Sequence, residues 1–406
     1  MKLTAGQGAS EMTSDVHCQT MGMRVGSVSD SAKTMEMHDH VSRQLGGIWQ
    51  HLLGVDSIGE DENYFDLGGD SILAVQLFAQ IEKVFGVKLP VATLFEAPTV
   101  AELSKILVRE TPAPGWSPLV TIQPSGSRPP FFCMHGAGGN VLIYRALSLH
   151  LGLDQPFYGL QCQGLDGNSP LLETVEDMAA LYMKEIRRVQ PHGPYFLGGY
   201  CMGGSIAFEV ARQLQSAGES IGLLALFDTM NWSKLPAPST WDKCYYNAER
   251  IMFHLANFFL ADYAGKTKFF REKLDELHYR LPMWSDMLRS KLRMTSRTSS
   301  LQVRLLSQIW QMNDHAASAY IPRPYPGVVT EFRPNTQYRM FDRPGIKWED
   351  LARGGQEVVT LPVSPAGMLI EPFVRDLAFG LRASLDRAIA GERSVAGTDS
   401  RMQKGA

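Results

Sequence analysis

The sequence predicts an α/β domain, a mostly parallel sheet with helices on both faces, preceded by a small all-α unit of four helices. Three observations carry that expectation. From residue 119 onward, short apolar runs of strand length alternate with amphipathic stretches of helix length. Residues 41–110 show helical periodicity alone, in a compact stretch. Between the two lies Thr111-Pro112-Ala113-Pro114-Gly115, where proline removes donors and keeps the residue before it out of the helical region, so 111–118 reads as a linker. A chain of 406 residues with 44% hydrophobic and 20% charged side chains can bury more than one core, which excludes disorder throughout.

Residues 1–40 are rich in small polar side chains and are expected to be a disordered lead-in, with order beginning near Val41. In the α/β part, spanning 119–390, strands are expected at 119–123, 130–135, 156–160, 195–200, 221–227, 328–333 and 357–361. Helical periods fill 140–150, 174–190, 204–217 and 372–389, and 391–406 is expected to be a disordered tail. One long interruption, about 231–320, carries no strand pattern. There Trp241, Tyr245, Ala248, Met252, Leu255 and Phe259 recur at steps of four and three, the stripe of an amphipathic helix. It reads as an inserted helical lid, or as a helix that only packs on the main core.

Formal net charge is −3, from 39 basic and 42 acidic residues, so no global field favours nucleic acid or an anionic membrane. The five cysteines, Cys18, Cys133, Cys162, Cys201 and Cys244, include no Cys-x-x-Cys pair, and a disulfide framework is not expected. There is neither a signal-peptide pattern nor an apolar run of membrane-spanning length, so the expected location is the cytoplasm.

Gly68-Gly69-Asp70-Ser71 opens an amphipathic helix with Leu73, Leu77, Ile81 and Val84 on one face. The glycines allow a tight loop, and a helix start favours an anion attached there. Ser71 would suit a phosphodiester; the dipeptide alone would equally describe a capping serine. The whole unit, through Leu94-Phe95-Glu96-Ala97-Pro98-Thr99, resembles a carrier domain of nonribosomal peptide and polyketide assembly lines, more peptidyl than fatty-acyl. That resemblance implies 4′-phosphopantetheine on Ser71, attached by a phosphopantetheinyl transferase. Thr99 and Glu102 form a capping box for the last helix.

The run 195–204 is an apolar strand entering Gly199-Tyr200-Cys201-Met202-Gly203 and then a helix, the setting of a nucleophile elbow. Here the side chain is a thiol, and a helix start lowers a thiol pKa, so substantial thiolate is expected at neutral pH. Upstream, His135-Gly136-Ala137-Gly138-Gly139 ends a strand in a turn that can aim a backbone N–H at an oxyanion. Ala137 and Met202 are the expected donors, and Asp228 closes an apolar strand where a triad acid could stand. From Leu119 to about Leu385 the chain resembles the type I thioesterase domains that terminate such synthases, an α/β-hydrolase family. The matching stretches include the two glycine-rich motifs, Leu226-Phe227-Asp228, Pro324-Tyr325-Pro326-Gly327 and 368–372. The resemblance implies that Cys201 is the nucleophile, in place of the more usual serine, and Asp228 the acid.

The pattern breaks at the base. The family's histidine lies three residues before Met368-Leu369, where this chain has Pro365, and its histidines stop at His315. A thiol ionises more readily than a hydroxyl, so Cys201 could still take an acyl group from a thioester, whereas hydrolysis of acyl-Cys201 needs a deprotonated water. The expected function is therefore acyl, aminoacyl or peptidyl transfer through Cys201 to a thiol or amine, resembling cysteine-dependent aminoacyl shuttles. The alternatives are a releasing thioesterase with a displaced base and a non-catalytic scaffold. Upstream adenylation and condensation or polyketide synthase modules, and a second carrier domain, are the implied partners; no metal is. Residues 43–110 sum to −5 (five basic, ten acidic) and 264–310 to +6 (ten basic, four acidic), which points to docking through Arg271, Lys273, Arg289 and Lys291.

Overall fold

The computed structural model describes residues 27–69, 71–108, 116–232, 239–260, 266, 301–339, 348–365 and 367–403. Four helices make the N-terminal unit: α1 (Ser27–Leu53), α2 (Ser71–Phe85), the single turn α3 (Thr93–Glu96) and α4 (Val100–Val108). Leu45, Trp49, Tyr64, Leu77, Phe78, Ile81, Leu94 and Leu103 form its core, with Trp49 edge-on to Tyr64 at 5.2 Å between centroids. The buried face of α2 is Ala74, Leu77, Phe78 and Ile81, while Val84, expected inside, is exposed. Half of the expected capping box at α4 forms: Thr99 Oγ1 accepts from the Glu102 N–H at 3.2 Å, but Glu102 Oε2 takes its bond from the Thr99 hydroxyl, at 3.1 Å, in place of the Thr99 backbone N–H.

The expected lead-in is corrected over its last part, because helix starts at Ser27 rather than near Val41. His38 Nε2 meets Ser104 Oγ at 3.0 Å, and Ser42 Oγ donates to the same hydroxyl at 2.9 Å. These anchors one turn apart are polar, so apolar periodicity does not report them. Residues 1–26 and 111–115 lie outside the described residues.

The second unit is a seven-stranded sheet of β1 (Leu119–Gln123), β2 (Phe131–Met134), β3 (Phe157–Leu160), β4 (Tyr195–Tyr200), β5 (Ile221–Phe227), β6 (Val329–Pro334) and β7 (Gln356–Leu361). Their order is β1-β3-β2-β4-β5-β6-β7, with only β1 antiparallel to its neighbour. All seven strands stand where the sequence expects them, because each is an apolar run bounded by turn residues. One face is covered by α6 (Val175–Val189) and α7 (Met202–Ser216), which bury Met178, Tyr182, Ile206 and Phe208 against Phe132 and Leu197. The other is covered by α5 (Arg145–Leu151) and α10 (Val374–Gln403), around Phe131, Phe157, Phe196, Phe227 and Leu377. This is the α/β-hydrolase arrangement. Helix α10 runs through the expected tail at 391–406 as far as Gln403, and no proline interrupts it.

Within the interruption, α8 (Thr240–Leu260) and α9 (Leu301–Ala319) are helices. The apolar stripe on α8 faces outward, with Trp241 75% and Phe259 72% exposed. Its opposite face is the one that packs. The Tyr246 and Phe253 rings lie 4.8 Å and 5.0 Å from that of Tyr338, and Asn257 is fully buried. The four basic residues expected to dock the carrier, Arg271, Lys273, Arg289 and Lys291, lie outside the described residues.

Candidate active site

Strand β4 delivers Cys201 into a turn with φ 55° and ψ −120°, and α7 begins at the next residue. Two glycines make that turn possible. A Cβ on Gly199 would stand 2.2 Å from the Gly203 carbonyl, and one on Gly203 would stand 2.3 Å from the Met134 oxygen. Cys201 N–H donates to Phe227 O at 3.0 Å, which ties the elbow to the end of β5. Tyr144 Oη, buried between the strand ends, donates to Met134 O at 2.6 Å and accepts from the Tyr200 N–H at 3.0 Å. Elbow and glycine-rich turn are thereby one rigid frame.

The thiol is not a resting thiolate. Burial pushes the Cys201 pKa up to about 12, the Asp228 carboxylate adds to the shift, the Met202 N–H works against it, and Asp314 on α9 raises it further. The sequence expectation of substantial thiolate is corrected here. A helix start does lower a thiol pKa, but at this elbow burial beside an acid outweighs it.

In the glycine-rich turn, His135 is fully buried, and burial lowers its pKa to about 4, so the ring is neutral at pH 7. Nδ1 lies 2.7 Å from Gly136 O, an acceptor, so Nδ1 carries the proton; Nε2, 2.7 Å from Tyr182 Oη, then accepts. Both ring nitrogens are engaged and neither is left to serve as a base. The Gly139 N–H also donates to Gly136 O, at 2.9 Å. In a trans peptide the C=O and the following N–H point opposite ways, so the Ala137 N–H is aimed away from those two donors. Asn313 of α9, fully buried, donates from Nδ2 to Ala137 O at 2.9 Å.

Asp228 follows β5 with φ 43°, and its N–H donates to Phe332 O at 2.9 Å. Burial raises its pKa to about 6; a hydrogen bond from Gln337 Nε2 to Oδ1 at 3.4 Å opposes this, and Glu331 adds to it. Where the base histidine is expected, Pro365 is buried in the turn after β7. Its neighbour Ser364 is gripped twice by Asn257 of α8: the Ser364 N–H donates to Oδ1 at 3.0 Å, and Nδ2 donates to Ser364 O at 3.3 Å. The structure thus brings Cys201, Asp228 and the two glycine-rich motifs together. Gln337, Asn257, Asn313, Tyr144 and Asp314 were not singled out from the sequence, because lone polar residues in helices and loops carry no spacing signal.

In the N-terminal unit, Ser71 is the first residue of the fifteen-residue α2, whose first turn holds no acidic residue. A Cβ on Gly69 would stand 2.3 Å from the Tyr64 ring, so the loop before Ser71 lies close against the core. A helix start whose first turn carries no acidic side chain fits a phosphodiester. Among the described residues no group of His, Cys, Asp and Glu could hold a metal ion, and no helix is long and apolar enough to cross a membrane.

Residues 30–107 match the family model described as phosphopantetheine attachment site, and residues 129–242 match that of the thioesterase domain. Over 201 residues the chain is 43% identical to malpinin synthetase of Mortierella alpina, an alignment covering 49% of this chain and 3% of that protein. Over 184 residues it is 43% identical to a dimodular nonribosomal peptide synthase of Bacillus subtilis (strain 168), covering 45% of this chain and 8% of that one. The chain therefore spans a small fraction of these relatives. The fold is also similar to the crystal structure of a four-domain nonribosomal peptide synthetase in its holo form with AMP and glycine, with a TM-score of 0.53 and 24% identity over 85% of this chain and 26% of that one.

Proposed function

Because the chain joins a phosphopantetheine carrier domain to a thioesterase domain, we propose that it moves an acyl, aminoacyl or peptidyl group from Ser71 through Cys201 to a thiol or amine. The prosthetic group on Ser71 supplies a terminal thiol that holds the acyl chain as a thioester. Cys201 Sγ bonds to the thioester carbonyl carbon, the Ala137 and Met202 N–H groups receive the developing oxyanion, and as that carbon's bond to the donor sulfur breaks the Cys201 proton ends on the departing sulfur. A phosphopantetheinyl transferase and upstream adenylation and condensation modules are the partners this requires.

The observation that carries the reading is at the acid. Asp228 takes its hydrogen bond from the Gln337 amide, and the base position is a buried proline. An amide cannot take a proton from water at neutral pH, so hydrolysis of acyl-Cys201 is disfavoured, whereas a thiol or amine acceptor brings its own nucleophile. A second reading, product release by hydrolysis or cyclisation, is favoured by the two carboxylates that influence the thiol, Asp228 and Asp314, both with raised pKa. Such a carboxylate is a better base than an ordinary one.

Intact-protein mass spectrometry after loading with an acyl-pantetheine donor tests both. A persistent adduct on Cys201, discharged by added thiol and absent from Cys201→Ala, is expected. Free acid released rapidly without thiol would favour the second reading, and no Cys201 adduct would remove both. Ser71→Ala should abolish incorporation of phosphopantetheine from coenzyme A.

A further inference from the structure

The carrier touches the catalytic domain at a defined place, the segment that follows the oxyanion turn. Arg145, the first residue of α5, holds its guanidinium 4.1 Å above the centre of the Phe65 ring, and its Nη2 lies 3.7 Å from Asp66 Oδ1. Leu142, only 6% exposed, belongs to the carrier's apolar cluster although it lies in the catalytic domain, and the carrier's Ala92 and Phe95 pack in return against the catalytic domain's cluster. A side chain on Gly167 would run into the carrier's Lys88.

We propose that Arg145 is the anchor on which the catalytic domain receives its own carrier, and that this seating presents the Ser71 thioester to Cys201. The inference rests on the proposed transfer between those residues. Arginine suits the place because one planar cation can stack on an aromatic face and pair with a carboxylate at once, which lysine does less well. Asp66 is 75% exposed, so the ion pair is weak and screened by salt, and the ring stack and apolar contacts carry most of the hold. Such a contact is reversible, as a carrier loaded by another catalyst requires. It is also coupled to the site. Tyr144, which precedes Arg145, is the residue bonded to Met134 O and the Tyr200 N–H, so the docked segment and the elbow share one frame. On docking, Cys201 Sγ bonds to the acyl carbon, the bond from that carbon to the donor sulfur breaks, and the Cys201 proton ends on the departing sulfur.

The test uses the full holo chain in three forms: wild type, Arg145→Glu, and Arg145→Glu combined with Asp66→Arg. Passage of acyl from Ser71 to Cys201 should slow about tenfold in the single variant, the scale of a lost cation–π contact plus a reversed charge. The double variant should recover part of the rate, and acylation of Cys201 by soluble acyl-pantetheine should be equal in all three. Small-angle scattering gives an independent readout: the single variant should have a larger radius of gyration than wild type, and the double should fall between. Unchanged dimensions in the single variant, or a Ser71-to-Cys201 rate equal to or above that of wild type, would overturn the proposal. If wild-type Cys201 takes no acyl from the soluble donor, the proposed transfer fails, while the scattering comparison still decides the docking.

Discussion

Gln337 Nε2 donates to Asp228 Oδ1 at 3.4 Å, a contact that in a complete triad belongs to an imidazole. The substitution that restores a base is therefore Gln337→His rather than Pro365→His. Pro365 is buried, and Ser364 beside it is held at both backbone atoms by Asn257, so an imidazole at 365 would have to displace packed neighbours. At 337 it would start beside the acid. Positioned general bases contribute roughly 10²–10⁴ in rate, and an imperfectly placed one should still shorten the lifetime of acyl-Cys201 in water by about tenfold. Intact-protein mass spectrometry over time measures this. Equal lifetimes in wild type and Gln337→His would mean that base placement at Asp228 does not limit hydrolysis.

The resting state of Cys201 is open to a direct test with iodoacetamide. An unperturbed thiol titrates near pH 8.5, so its alkylation levels off above that value. Burial beside Asp228 holds the Cys201 thiol near 12, so its alkylation should keep rising, about tenfold per unit, from pH 7 to pH 10. Peptide mapping separates Cys201 from the exposed Cys244. A plateau below pH 8 would contradict the burial.

Which parts of this molecule can be read from its sequence follows from the range of the interactions involved. The seven strands and the elbow are legible because apolar runs and glycine spacing are local signals; Gly199 and Gly203 are required by contacts within a few residues of Cys201 and with the neighbouring strand. The outward face of α8 is not legible. Trp241 through Phe259 have the period of a buried stripe, yet the face that packs is set by Tyr338 and Ser364, roughly a hundred residues away. The thiol pKa is hidden from the sequence for the same reason: the helix start lies in the local sequence, whereas the burial and the Asp228 charge come from the assembled sheet.

Asp228 should cost the fold stability at neutral pH. Its folded pKa, about 6, lies above the ordinary carboxylate value of 3.8, so the fold favours the protonated form. That preference is fully present below the unfolded pKa and is lost as pH rises through about 6. Asparagine resembles the protonated acid and keeps an oxygen for Gln337. Asp228→Asn should therefore stabilise the protein by on the order of 2 kcal/mol at pH 7.5 in urea unfolding, with the difference vanishing near pH 4. A variant less stable than wild type at pH 7.5 would sink the idea.

Asn313 links α9 to the proposed oxyanion donor. Its Nδ2 holds Ala137 O at 2.9 Å while His135 and the Gly139 N–H hold Gly136 O, so the carbonyls on both sides of the Ala137 N–H are fixed. Asn313→Leu keeps the branched heavy-atom skeleton of the side chain but frees one of them. Removing an oxyanion donor outright costs about 10²–10³ in rate, and a donor left in place but poorly aimed should cost about tenfold in acylation of Cys201 by a thioester. Iodoacetamide provides the control. It alkylates by displacement at a saturated carbon, where no oxyanion forms, so its rate with Cys201 should be the same in Asn313→Leu and wild type. The half-saturating concentration of the thioester should also be unchanged, because the hole is engaged only as the carbonyl becomes tetrahedral. If alkylation and acylation fell together, Asn313 would be holding the elbow itself rather than aiming the Ala137 N–H.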